Sequence, residues 1–263
     1  MAIITLDGYI ASGKQALQII KTASRTTVAN IWFSVFELAG NPGAGTLAGT
    51  STAAGVVPTD ATAGVPIINF STGSGYLTSV DFANTVACRM TVADMLFKAG
   101  AYAFNAAQTL ASQPSYSSRV PSGTDFTGTQ IWIEAVTAFT GNMSIAVTYT
   151  NQAGTPARTT GTVATGVAPT LGRMIQLPLQ AGDTGVQKIE TVTATVSTVG
   201  TFNVLVLKPK WSGRVPIANG GDTHAMDKTG LQDLYTDSAL ILLVNADSTS
   251  SGIPELQLEV ANG

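Results

Sequence analysis

The chain has 263 residues with 16 acidic and 13 basic side chains, a formal charge of −3, 44% apolar residues and only 11% charged ones, against a usual ~25% charged in soluble domains. That balance excludes a solvated disordered polymer, one cysteine excludes a disulfide scaffold, and the lack of surplus Lys and Arg excludes broad nucleic-acid binding. A surface this poor in charge and rich in Gly, Ala, Ser and Thr points to contact with other protein.

The chain opens MAIITLDGYIASGK. Asp7 interrupts the apolar run and no Lys or Arg precedes it, unlike a secretory signal. No apolar run approaches the roughly 20 residues of a membrane span. The expectation is a chain made and folded in a cytosol. Ser12–Ser24 is the predicted N-terminal helix, with Ser12 as N-cap and Ala16, Leu17, Ile20 and Ala23 on one face. Ile31–Ala39 reads as a strand. Asn41–Gly64 is nearly all small residues, too poor in apolar surface for its own core, and reads either as a flexible loop or as an arm ordered on a neighbouring subunit. Tyr76–Val92 reads as one or two strands, Asp94–Tyr102 as a short helix or an irregular crossing, and Gln113–Thr129 as a polar loop.

From Gln130 the period is two. Ile131, Ile133 and Ala135 alternate with Trp132, Glu134 and Val136, and Ile145, Val147 and Tyr149 with Ala146 and Thr148. The same holds for Val192, Ala194 and Val196, for Phe202, Val204 and Val206, and for Leu256, Leu258 and Val260. Short alternating segments between Gly, Asn, Asp and Pro turns are antiparallel strands with one buried face. The predicted fold is all-β, an antiparallel sandwich or jelly roll with a short N-terminal helix and long loops. Residues 1–40 hold the helix and first strand, a candidate segment for contact with a neighbouring protein, 41–64 the loop or arm, and 65–263 the sandwich body, one domain with 1–40.

Motifs with chemistry are few. Gly8 to Lys14 matches G-x-x-x-x-G-K, but Gln15 follows where a phosphate-binding loop places a Mg²⁺-binding hydroxyl, and the rest reads as antiparallel β. His224 is the only histidine, beside Asp222 and Asp227, too few ligands for a metal site and without a nucleophile turn for a triad. Cys88 sits among apolar neighbours and reads as a small buried hydrophobe. Glu134, Glu190, Glu255 and Glu259 lie on strands and read as outward, solvated charges. Trp32, Trp132 and Trp211 read as packing residues, with a sugar-stacking platform as the sharper alternative. The expectation is no enzyme: no catalytic, cofactor-binding or metal-binding residues, and no cofactor.

Two turns carry a resemblance. Tyr149-Thr-Asn-Gln-Ala-Gly-Thr-Pro-Ala-Arg158-Thr159 is a strand, a tight turn and a second strand, and Leu179-Gln-Ala-Gly-Asp183-Thr-Gly185-Val186 is a turn before a strand. With Leu38-Ala-Gly-Asn-Pro-Gly43, they resemble tailed-bacteriophage virion structural proteins, most of all capsid decoration (cement) proteins. The resemblance implies a virion protein on the capsid surface, made in the host cytoplasm. Its implied partners are the major capsid protein and further copies of itself, with a trimer favoured, and neither nucleic acid nor membrane. It transfers no catalytic residue. The candidate contact residues are Leu17, Ile20, Asn41, Pro42, Thr46, Leu47, Val56, Val57 and Pro58. The competing readings are a tail, neck or fibre component and a carbohydrate-binding adhesin module.

Overall fold

A computed structural model describes residues 5–49, 51–71, 73–103, 107–165, 168–195 and 199–262. Helix α1 (Leu6–Ala11) leads into β1 (Gly13–Lys21), β2 (Trp32–Ser34), β3 (Gly40–Asn41), β4 (Ser51–Val56), β5 (Ser74–Asn84) and β6 (Cys88–Ala103). Then follow β7 (Ala107–Thr109), β8 (Gln130–Thr137), β9 (Ser144–Asn151), β10 (Arg158–Thr159), β11 (Val163–Ala164), β12 (Met174–Leu177) and β13 (Val186–Thr195). The chain ends with β14 (Thr201–Val215), β15 (Gly220–His224), α2 (Met226–Thr229), β16 (Asp233–Tyr235), β17 (Leu240–Ala246) and β18 (Glu255–Asn262).

All the pairing is antiparallel, in three sheets. A seven-stranded central sheet runs β12-β8-β14-β6-β17-β2, with β4 added beside β6. A six-stranded terminal sheet runs β15-β5-β18-β1-β3, with β16 on β5, and pairs the first long strand with the last from Gly13 opposite Asn262 to Ile20 opposite Glu255. A five-stranded middle sheet is built from β7, β9, β10, β11 and β13.

Strands β6 and β14, of 16 and 15 residues, serve two sandwiches at once. Their ladder shifts register between Met95 and Phe97 on β6 and between Pro209 and Trp211 on β14. Each such bulge re-aims the side chains that follow it. One face of the central sheet therefore presents Cys88, Met90, Val92, Trp211 and Val215 to the terminal sheet, and Phe97, Ala99, Phe202, Val204 and Val206 to the middle sheet. The opposite face packs Ala93, Met95, Leu205, Leu207, Ile241 and Leu243 under Phe36, Leu47 and Val65, which come from irregular chain rather than from a sheet.

Asp94 lies on the first face, between the two sandwiches. It is fully buried and accepts from Arg119 Nη2, Ser238 Oγ and the Ala239 amide, all at 2.8 Å. A buried carboxylate needs such a full set of donors to offset its lost hydration.

The all-β class stands, and the alternating residues of β9, β13, β14 and β18 point inward as read; Val196 lies outside the described residues. Three local expectations do not hold. Residues 13–21 form strand β1 rather than the helix predicted over Ser12–Ser24, and Ser12 ends α1 by donating its hydroxyl to Tyr9 O at 2.7 Å. Leu17 and Ile19 are buried with Gln18 exposed between them, a period of two that the pairing with β18 imposes. Asp94–Tyr102 continues β6 instead of forming a helix, and of Ile31–Ala39 only Trp32–Ser34 is strand. Trp132, Glu134, Leu205 and Leu207 are buried although they alternate with core residues. The central sheet is covered on both faces, so its middle strands have no solvent side.

Candidate functional site

The nine candidate contact residues separate into distinct places. Thr46, Val56, Val57 and Pro58 come together with Phe36, Met95 and Lys98 around a cleft of about 360 Å³, between the 46–63 segment and the central sheet. Leu17, Asn41 and Pro42 line another cleft of about 340 Å³ with Gln15, Gln18 and Ile67. There Asn41 Nδ2 donates to Gln18 Oε1 at 3.0 Å, and Gln15 bridges Ile67 O and the Asn69 amide. Ile20 lies apart, beside Asp81, Phe82 and Glu255. Leu47 is buried in the outer layer and Leu17 in the terminal-sheet core, so neither offers its side chain to a partner. Residues 41–64 carry β4, and apart from residue 50, which lies outside the described residues, they run along the body.

What holds that segment down is a set of buried side-chain donors, two of them cations. Lys98 Nζ donates to Thr46 O at 2.7 Å, Asn203 Nδ2 donates to Leu47 O, and Tyr102 OH donates to Thr52 O at 2.8 Å. Arg119, 1% exposed, donates to Pro58 O, to Asp237 O at 2.8 Å and to Met95 O at 2.5 Å. Elsewhere Lys21 donates to Leu38 O, Lys210 to Asp233 O, and Arg25 to Leu171 O while pairing with Glu37. Burial pushes the Lys21 and Lys210 ammonium groups down to about 8 and Arg25 to about 10. Lys98 is also lowered by burial, with the Glu134 charge opposing. The sequence carries one signal for this site: Lys98 is a lone cation inside the apolar run Met95–Tyr102.

The two turns that carry the resemblance meet in space. Asp183 accepts from Arg158 Nε at 2.9 Å, Tyr149 OH at 2.8 Å and Asn151 Nδ2 at 2.7 Å, and Gln152 Oε1 accepts from the amides of Thr184 and Gly185. The Arg158 guanidinium and the other donors hold the Asp183 carboxyl down at about 2. Every member is partnered within the chain, which makes this a clasp between hairpin and turn.

The remaining candidates do not assemble into chemistry. The G-x-x-x-x-G-K run spans the end of α1 and the start of β1, an order of helix then strand opposite to a phosphate-binding loop, and Lys14 Nζ donates to Tyr9 O at 3.0 Å. Its apolar lead-in, residues 2–4, lies outside the described residues. His224 Nδ1 accepts from Trp211 Nε1 at 3.0 Å, and its Nε2 is 3.8 Å from Asp222. Cys88 is buried, and burial pushes its thiol up. Glu134 is buried rather than solvated and accepts from Asn203 at 2.9 Å, Glu190 accepts from Thr150 at 2.7 Å, and Glu259 accepts from Tyr9 at 3.1 Å. Trp132 and Trp211 are buried, and Trp32 meets Trp132 edge-on, so the three do not form a surface platform. Among the described residues no cluster of three or more His, Cys, Asp or Glu is placed to hold a metal, and no helix is long and apolar enough to cross a membrane.

Helix α1, earlier in the chain than the helix expected over Ser12–Ser24, is a surface feature within the 1–40 segment. It buries none of its residues, and Leu6 and Ile10 are 72% and 65% exposed. Beside it a cleft of about 330 Å³ is lined by Tyr9, Tyr76, Met226 and Leu231.

No family model and no curated protein matches the chain. Among solved structures it is similar to the VP2 subviral particle of infectious bursal disease virus, at 9% identity and a TM-score of 0.19, over 95% of this chain and 79% of that one. It is similar also to the Gt strain of the same virus, at 8% identity and a TM-score of 0.18, over 95% of this chain and 81% of that one.

Proposed function

We propose that this chain is a structural protein of a tailed-phage particle, seated on the outside of the capsid as a decoration protein that holds major capsid subunits and its own copies together. The observation that carries the reading is α1. A six-residue helix is marginal on its own, and this one presents Leu6 and Ile10 to solvent beside an apolar cleft. Contiguous exposed apolar surface of this kind marks contact with another protein. The low charge of the chain supports the same reading, because interface cores are depleted in charged residues. Many copies on one shell would add avidity, each bound subunit holding its neighbours near their sites. In this reading the protein acts by contact area, without catalysis, as a homo-oligomer with a trimer favoured.

The test is the copy number and position of the chain in purified particles, by quantitative mass spectrometry and cryo-electron microscopy. Hundreds of copies spread over the shell are expected. A few copies at the neck or tail would replace the decoration role with a tail, neck or fibre role, and absence from particles would end the virion reading.

A further inference from the structure

We propose that the cleft beneath residues 46–63 is a binding site for a small amphiphilic carboxylate, with Lys98 as its counter-ion. The walls are apolar: Phe36, Val56, Val57, Pro58 and Met95 close about 360 Å³ around the lysine. Pockets of this size, apolar with one placed polar group, suit small organic ligands. Lys98 is only 6% exposed, and its ammonium lies 5.5 Å from the centre of the Phe36 ring.

That ammonium is short of partners. It has three donors, and its one described hydrogen bond goes to Thr46 O. Arg119 has Asp94 and Arg25 has Glu37 within salt-bridge distance, whereas among the described residues no carboxylate lies that close to Lys98, Lys21 or Lys210. Of these three lysines, Lys98 is the one that lines a described cleft. Glu134, the charge that acts on it, is engaged by Asn203. A buried ammonium with spare donors facing an apolar cleft is completed by an anion that carries its own apolar body. A ligand carboxylate would take the spare donors while its alkyl chain lies against Val56, Val57 and Met95.

The probes are octanoate and its neutral analogue octan-1-ol, titrated calorimetrically into the full chain. Octanoate is expected to bind at least tenfold more tightly than octanol, and Lys98→Met is expected to erase the difference. Ala63→Trp, at an exposed position on the rim of the cleft, leaves the lysine in place and is expected to abolish octanoate binding without changing the melting temperature. Equal binding of the two probes, undiminished octanoate binding to Ala63→Trp, or no octanoate binding at all would each overturn the proposal. If Lys98→Met does not fold, Ala63→Trp decides. None of these outcomes bears on whether the chain belongs to a particle.

Discussion

The middle sheet and the irregular chain around Phe36, Leu47 and Val65 cover opposite faces of the central sheet, and they meet the same demand by different means. In the middle sheet, backbone groups pair with backbone groups: β9 and β13 run side by side from Val186 opposite Asn151 to Thr195 opposite Ser144, and Ile145, Val147 and Tyr149 need only point inward. The irregular layer has few ladders. Several of its carbonyls, at Leu38, Thr46 and Pro58, are satisfied by Lys21, Lys98 and Arg119 instead. A strand-built cover is specified by its alternation. A loop-built cover draws donors from side chains, and here most of those donors are cations.

The largest break in this comparison comes at Arg119. Arg119→Leu leaves Asp94 buried with its charge unpaired and removes the donor to three carbonyls, so a loss of about 3–5 kcal/mol is expected in urea unfolding. A loss under about 1 kcal/mol would show that the cation is dispensable. Ile145→Ala, in the strand-built cover, opens a cavity and is expected to cost about 2–5 kcal/mol. That cost should be the same at pH 7 and pH 9, since no charge is involved.

Asp183→Asn tests the clasp. Its carboxyl, held at about 2, lies below its unfolded value, so its contribution is present above pH 4 and disappears as the pH falls through 2. A loss of about 1–3 kcal/mol is expected at pH 7, shrinking as melts are repeated towards pH 2. A difference that stays constant down to pH 2 would mean that shape, not charge, holds the turn.

The effect of alkali is spread over several side chains. Lys21 and Lys210 titrate near 8 when folded and near 10.5 when unfolded. Below pH 8 both states are protonated and the burial penalty is complete. Between pH 8 and 10 the unfolded state holds more protons, so stability rises with pH, by about 2 kcal/mol for each lysine. Tyr149 and Tyr235, raised to about 12, act oppositely above pH 10, where the unfolded phenols ionise first. Melting temperature should therefore peak near pH 10, and Lys21→Met should flatten the rise below it.

The sequence made strands legible wherever one face is wet. Leu256, Leu258 and Val260 are buried between exposed Glu255 and Gln257, and β9 follows the same rule. It failed at β1 because Ala16-Leu17-Gln18-Ile19-Ile20 satisfies two periods: Leu17 with Ile20 for a helix, Leu17 with Ile19 for a strand. Only the remote partner β18 decides between them. Residues 41–64 resemble a free arm because their anchors, Lys98, Tyr102 and Asn203, are far away in sequence and buried, and burial of a lysine does not show in composition. The cleft at Thr46, Val56, Val57 and Pro58 was legible as a set of residues, while the lysine at its centre was not.

Burial also redistributes charge. Five of the thirteen cationic side chains, Lys21, Arg25, Lys98, Arg119 and Lys210, are in the interior, against two of the sixteen anionic ones, Asp94 and Glu134. The surface is thus more acidic than the net charge of −3 implies.

The two long strands have a mechanical consequence. Because β6 and β14 pass through both sandwiches, the pair forms one ladder about 50 Å from end to end. Neither sandwich can melt alone without stripping strands from the other. A load applied to one end would travel along covalent backbone and cross-strand bonds, with no hinge to absorb it. The two sandwiches should therefore melt in a single calorimetric transition, as one beam rather than two beads on a string.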